Sequence, residues 1–262
     1  MASKNRSYEY LEKGKKEARI GLDSEKDIVK MINENINFRK EMLNCLKHLG
    51  FKINDNIIAS NEGGNKKSDI ILSNGCKVGI SIKSTTRTSF HQLDRRTLDK
   101  WKNYLEMPDD IYRILRESIL RVANDQRDPF IIKEDQKKIK SFFLENLESI
   151  LREIFTKNEE HLKLFMVNDK REETRRIYVF RMEEVLNFLM QDGSDVSFTK
   201  KGIITLGKFI KVQRKGGNGN RIKIPKTDWK HPGNNLQFKF SPLDFTAYIE
   251  DTNEIRFCRI NY

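Results

Sequence analysis

Eleven residues separate Asp69, in the run Lys67-Ser68-Asp69, from the run Ser81-Ile82-Lys83. The text on both sides is β-rich. SDIILS and CKVGISIKS flank Asn74-Gly75, a pair that favours a short hairpin loop. Strand side chains alternate between faces, so Ser81 and Lys83 share one face while Val78, Ile80 and Ile82 line the other. An aspartate oxygen suits a hard divalent cation. Such a cation polarises a phosphoryl oxygen and lowers the pKa of a bound water. A neighbouring ammonium can orient that water and neutralise the charge that develops on phosphorus. The chemistry these residues offer is phosphodiester hydrolysis. On spacing alone, an ordinary hairpin with one exposed aspartate and one exposed lysine, a very common pattern, is the favoured reading.

The hairpin register constrains the idea. A two-residue Asn74-Gly75 turn would pair Ser73 with Cys76, and therefore Asp69 with Ile80. That places Asp69 on the apolar face, away from Ser81 and Lys83. A longer loop, a bulge or a bend at Asp69 is expected to correct this.

The 262-residue chain carries 50 Lys and Arg against 38 Asp and Glu, a formal net charge of +12. A surplus of this size points to a polyanionic partner, because basic side chains that neutralise phosphates release condensed counterions. Cys45, Cys76 and Cys258 are an odd, widely spaced set with no CxxC or Cys/His cluster. They indicate neither a disulfide framework nor a zinc site, and fit a reducing cytoplasm. The segment MASKNRSYEYLEKGKKEAR has no apolar h-region. No apolar run approaches the ~20 residues of a membrane span.

Residues 24–49 read as one amphipathic helix that starts near Ser24 and stops at Gly50. FKINDNIIAS reads as a strand. Residues 90–122 read as helix with a break at Pro108, and 134–165 as further charged helix. RRIYVFRM reads as a strand and EEVLNFLM as a short helix. From Gly193 a β-rich tail contains IITLGKFIKVQ, NLQFKF, TAYIED and EIRFCRI. The expected organisation is a catalytic α/β core at 1–105, a helical segment at 106–168 and a β-rich DNA-recognition region at 169–262.

The pattern D-x11-SIK resembles a degenerate PD-(D/E)XK nuclease motif. Around it the chain resembles, more closely, the small restriction enzymes of the HinP type, which cut GCGC. Four blocks carry the likeness in order along most of the chain. The first is Gly21-Leu22-Asp23-Ser24-Glu25-Lys26-Asp27-Ile28. The second joins Lys67-Ser68-Asp69-Ile70 to Ile82-Lys83. The third joins Phe90-His91-Gln92-Leu93-Asp94-Arg95 to Asp110-Ile111-Tyr112-Arg113-Ile114-Leu115-Arg116. The fourth joins Gln213-Arg214-Lys215-Gly216-Gly217 to Leu236-Gln237-Phe238-Lys239.

The resemblance implies an α/β fold, with a mixed β-sheet flanked by helices and a C-terminal β-rich recognition region. It implies Mg²⁺ as cofactor, a 5′-phosphate product, and a monomer or weak dimer clamping double-stranded DNA. The acidic position before the lysine is Ser81 here. A hydroxyl binds metal weakly or through water, so a second carboxylate would help. Glu25 on the first helix is the candidate, and the main-chain carbonyl of Ile82 is the other expected ligand beside Asp69 and Ser81.

Gln92 and Arg95 fall where the resembling enzymes touch bases; glutamine suits adenine edges and arginine suits guanine O6 and N7. Gln213, Arg214 and Lys215 lead into glycines that let a backbone approach DNA closely. Lys201 sits in a similar Lys-Lys-Gly turn. Gln237 and Lys239 alternate with Leu236, Phe238 and Phe240, so both face one way. Solvated faces and basic turns without specific duty are the competing readings for all of these. His91, His231 and Cys76 lack partners at diagnostic spacing and are expected to be structural, as are Trp101 and Trp229.

The reading is a cytoplasmic type II restriction endonuclease making Mg²⁺-dependent double-strand cuts at a short palindrome. A companion DNA methyltransferase is expected as a genetic neighbour, and no membrane partner is expected. A structure-specific or repair nuclease on the same fold is the first alternative. A DNA-binding protein with a decayed site is the second.

Overall fold

In the computed structural model, residues 21–62, 64, 66–73, 77–86, 89–171, 175–217 and 224–262 are described. The expected Asn74-Gly75 turn, Cys76 and the first 20 residues lie outside them. The described residues divide into two compact units, each assembled from separate stretches: one holds 90–154 and 189–241, the other 21–89, 155–188 and 242–262.

The second of these contains the hairpin. Its six-stranded sheet runs in the order β1 (Ile58–Asn61), β2 (Ile70–Ser73), β3 (Lys77–Thr85), β5 (Leu162–Asp169), β6 (Arg176–Arg181), β11 (Phe257–Asn261). Only the β3–β5 pairing is parallel, so the sheet is mixed. Helix α1 (21–34) and α2 (Ile36–His48) supply Ile28, Ile32, Phe38, Met42 and Leu46 to a core with Val78, Ile80 and Ile82. The expected apolar face of the strand is thus the face these helices cover.

The single helix expected over 24–49 is two. Asn35 breaks it, its side chain accepting from the amides of Asn37 and Phe38 as the N-cap of α2. The strand expected from Phe51 is confined to β1. The run TAYIED belongs to a helix, Pro242–Thr252, which begins on Pro242; proline suits a first helical turn because its missing N–H has no partner there anyway. Residues 162–165, expected as helix, open β5.

The other unit is built on a five-stranded antiparallel sheet, ordered β4 (His91–Arg96), β10 (Leu236–Phe240), β9 (Ile210–Arg214), β8 (Ile204–Leu206), β7 (Val196–Phe198). Residues 91–96, expected as helix, form β4 because β10 pairs with them. The helices α3 (Leu98–Leu105), α4 (Asp109–Asn124) and α5 (Lys133–Glu145) follow. Trp101, fully buried, packs on Phe238 at 4.8 Å, and Phe143 lies 6.5 Å from the same ring. Trp101 is therefore a packing residue, as expected. Arg96 lies over Trp101 and bridges two buried carboxylates, Asp94 at 2.5 Å and Glu153 at 2.8 Å. Among the described residues no helix is long and apolar enough to cross a membrane.

Candidate active site

The hairpin pairs Ser73 with Lys77, Leu72 with Val78 and Ile70 with Ile80. Three residues, not two, separate the strands, and the register moves by one from that of a two-residue turn. At Asp69 the ladder falls out of step. The Asp69 amide donates to the carbonyl of Ile80, the residue that already pairs with Ile70, at 2.8 Å. The departure required of the main chain at Asp69 is present. Its consequence is chemical: the next inward amide, that of Ile82, is met by a side chain instead of a backbone carbonyl. Asp69 Oδ2 accepts from it at 2.6 Å.

Ile82 is therefore the pivot of the site. Its N–H holds Asp69, and its carbonyl accepts from Lys83 Nζ at 3.1 Å. Lys83 Nζ also donates to Ser81 Oγ at 3.1 Å. Asp69, Ser81 and Lys83 thus meet around one residue. Ser81 is buried, while Asp69 and Lys83 are half-buried.

Glu25, from α1, faces the same place. Its carboxyl is pushed up from 4.5 to about 7, first by burial and then by the negative charge of Asp69, against a smaller downward pull from Lys83. Two carboxylates against one ammonium leave the group short of positive charge. Asp69 Oδ1, the Glu25 carboxylate and the remaining lone pairs of the Ile82 carbonyl and Ser81 hydroxyl are hard oxygen donors. They fit a divalent cation such as Mg²⁺. The Ser81 hydroxyl is the weakest of them, since Lys83 already occupies it.

Sequence reasoning missed a second cluster on the same unit. Glu62, Glu159 and His161 have ligand atoms within 4.8 Å of one another, a set that could hold a metal. They converge on Ser68. Glu159 accepts from the amides of Lys67 at 2.5 Å and Ser68 at 3.1 Å, and from the Ser68 hydroxyl at 2.8 Å. His161 Nε2 lies 3.0 Å from both Ser68 Oγ and Glu62 Oε2. Burial raises the Glu62 carboxyl, but hydrogen bonds from Lys66, Ser68 and His161 outweigh it and hold the group at about 2. Gly79 makes room for the cluster. A Cβ there would lie 3.0 Å from His161 Cδ2, 3.1 Å from Leu162 Cα and 3.1 Å from Ser68 Cβ.

The base-reading candidates are all in the other unit. Pairing aligns Arg95, Gln237 and Gln213 in one row, and Gln92, Lys239 and Lys211 in the next. Gln237 and Lys239 are two residues apart, so both rows share a face, opposite Phe238. Gln237 Nε2 donates to Gln92 Oε1 at 2.8 Å across it. Burial lowers Lys239, and the charge of Lys211 lowers it further. Lys215, just past β9, is lowered by burial and then by Arg95 and Arg214.

Arg214 alternates to the opposite face from Gln213. It is 5% exposed; its Nε donates to Asn234 Oδ1 at 2.8 Å, while its Nη2 is buried with no partner among the described residues. Lys201 stands apart, exposed in the β7–β8 turn. His231 caps a short turn, accepting from the Gly233 amide.

No family model matches the chain, and no curated protein matches it. Among solved structures it is similar to the restriction endonuclease MspI in complex with its cognate DNA. The TM-score is 0.58 and the identity 17%, over 87% of this chain and 92% of that one. The likeness shows a restriction-endonuclease-like α/β fold, with two sheets flanked by helices.

Proposed function

We propose that the chain is a type II restriction endonuclease that makes Mg²⁺-dependent double-strand cuts in DNA at a short palindromic site, with GCGC as the first sequence to try. The observation that carries this is the meeting of Asp69, Lys83 and Glu25 around Ile82, on a fold shared with a nuclease solved on DNA. The unit bearing these residues is the catalytic one, and the sheet bearing Gln92, Arg95, Gln213, Gln237 and Lys239 is the recognition surface.

Asp69 and Glu25 would hold the ion, with the Ile82 carbonyl beside them and Ser81 contributing directly or through water. Bound there, the ion supplies Lewis acidity to a phosphoryl oxygen and acidity to a bound water. The Ile82 amide pins one oxygen of Asp69 and leaves the other free to ligate. Lys83, steered by Ser81 and the Ile82 carbonyl, places its ammonium to orient the attacking water and to neutralise charge on the phosphoryl group. In-line attack leaves a 5′-phosphate and a 3′-hydroxyl. The net charge of +12 supports a duplex partner. A cytoplasmic, monomeric or weakly dimeric enzyme with a companion methyltransferase encoded nearby follows from this reading.

Digestion of plasmid DNA with Mg²⁺, followed by sequencing of the ends, tests it. Discrete fragments sharing one terminal sequence support it. Nicking at mismatches or branches would favour a structure-specific nuclease. Retained binding without cutting would favour a decayed site.

A further inference from the structure

Glu25 stands on α1 beside a buried hydroxyl. Its neighbour on α1, Ser24, is fully buried. The Ser24 hydroxyl accepts from Ser84 Oγ at 2.6 Å and from Asn168 Nδ2 at 2.7 Å. Ser84 and Asn168 are partners in the parallel β3–β5 pairing, one step beyond Lys83 and Val167. A single hydroxyl thus spans the two central strands immediately past the catalytic lysine. Asn168 Oδ1 in turn accepts from the Tyr262 phenol at 2.8 Å, and the Tyr262 ring packs edge-on against Phe38 of α2 at 5.9 Å. The chain of contacts runs from β3 to α1, back to β5, then through the last residue to α2.

The polarity of this chain is informative. The face that α1 and α2 cover is otherwise apolar, formed by Ile80, Ile82, Leu164 and Met166. A hydroxyl, an amide and a phenol there give up water, and a methyl group would pack with less desolvation. What the hydrogen bonds supply instead is direction, since they fix the rotation and height of α1 on the sheet. Apolar contacts tolerate sliding; two short bonds to one oxygen do not.

We infer that Ser24, held by Ser84 and Asn168 and backed by Tyr262, is a positioning residue that sets the Glu25 carboxylate against Asp69 and Lys83 for metal binding. The inference rests on the nuclease reading of that site. Its test separates the two.

Mn²⁺ binding to the full chain is measured by the electron paramagnetic resonance of free Mn²⁺, for wild type, Ser24→Ala, Tyr262→Phe, Glu25→Gln and the double variant Ser24→Ala/Glu25→Gln. Partners that orient metal ligands typically contribute 10–100-fold in affinity, so Ser24→Ala is expected to weaken Mn²⁺ binding about tenfold or more. Tyr262→Phe is expected to weaken it less, in the same direction, and stands in if Ser24→Ala does not fold. In the Glu25→Gln background Ser24→Ala is expected to add nothing, because it acts through Glu25. Unchanged affinity in both Ser24→Ala and Tyr262→Phe overturns the inference. So does a loss of equal size with and without Glu25, which would make the hydroxyl a purely structural group. Absence of Mn²⁺ binding by wild type overturns the metal reading of the whole site, and this inference with it.

Discussion

Replacing Glu25 by glutamine should make the metal-free protein more stable at neutral pH. The carboxyl is raised from 4.5 to about 7 in the folded chain, so folding costs energy whenever the group must ionise. The sign follows from proton binding. Between pH 4.5 and 7 the folded state holds a proton that the unfolded state has lost, and stability falls as pH rises through that window. The cost is complete above it and absent below it. At about 1.4 kcal/mol per unit the shift converts to roughly 3 kcal/mol. Water reaches the half-buried carboxyl and screens it, which leaves ~1–2 kcal/mol. For a chain of this size that is about 2–8 °C in Tm. Thermal midpoints of wild type and Glu25→Gln, taken in chelator from about pH 4 to pH 8, should coincide at the acid end and diverge between pH 5 and 7. Saturating Mg²⁺ should raise wild type and leave the variant nearly unmoved. Parallel curves across the whole range would refute the placement of Glu25 opposite Asp69.

Three further outcomes follow. Gly79→Ala should destabilise by ~1–3 kcal/mol in urea, since its Cβ meets two backbone-anchored atoms at 3.1 Å and a His161 carbon at 3.0 Å; wild-type stability would mean that the β5 entry yields freely. Arg96→Ala should cost ~3 kcal/mol by leaving Asp94 and Glu153 buried without their cation, and a loss under about 1 kcal/mol would show that water replaces it. Arg95→Ala, at an exposed position in the row with Gln237 and Gln213, should weaken binding to the cognate site by ~1–3 kcal/mol while random DNA is little affected; equal losses on both would make Arg95 a phosphate contact.

What the sequence made legible were the features written locally. Alternation in CKVGISIKS gave the faces of β3, and parity alone exposed the conflict at Asp69 that the chain resolves by pairing Ser73 with Lys77 and by an out-of-step amide. Elements defined by distant partners were misread. Residues 91–96 run into a strongly helical stretch and become a strand only because β10 pairs with them. LKLFMVND holds an unbroken apolar run from Leu164 to Val167, as a strand buried on both faces does, and its period cannot separate it from a buried helix. TAYIED holds the strand-favouring Thr246, Tyr248 and Ile249, yet Pro242 starts a helix that contains it. Glu62 and His161 are 99 residues apart, and neither carries a motif that announces the other. Arg214 was grouped with Gln213 by sequence, but adjacency in a strand is what sends the two to opposite faces.

The central claim is that one ion, held beside Ile82, and the Lys83 ammonium act together on one phosphate. Single-turnover cleavage of duplex DNA in Mg²⁺ by wild type, Asp69→Ala and Lys83→Ala, alongside DNA affinity measured in Ca²⁺, addresses it most directly. Wild type is expected to cut, and both variants to lose cutting while retaining affinity. Undiminished cutting by either variant, or a wild type that binds the duplex and never cuts it, would contradict it.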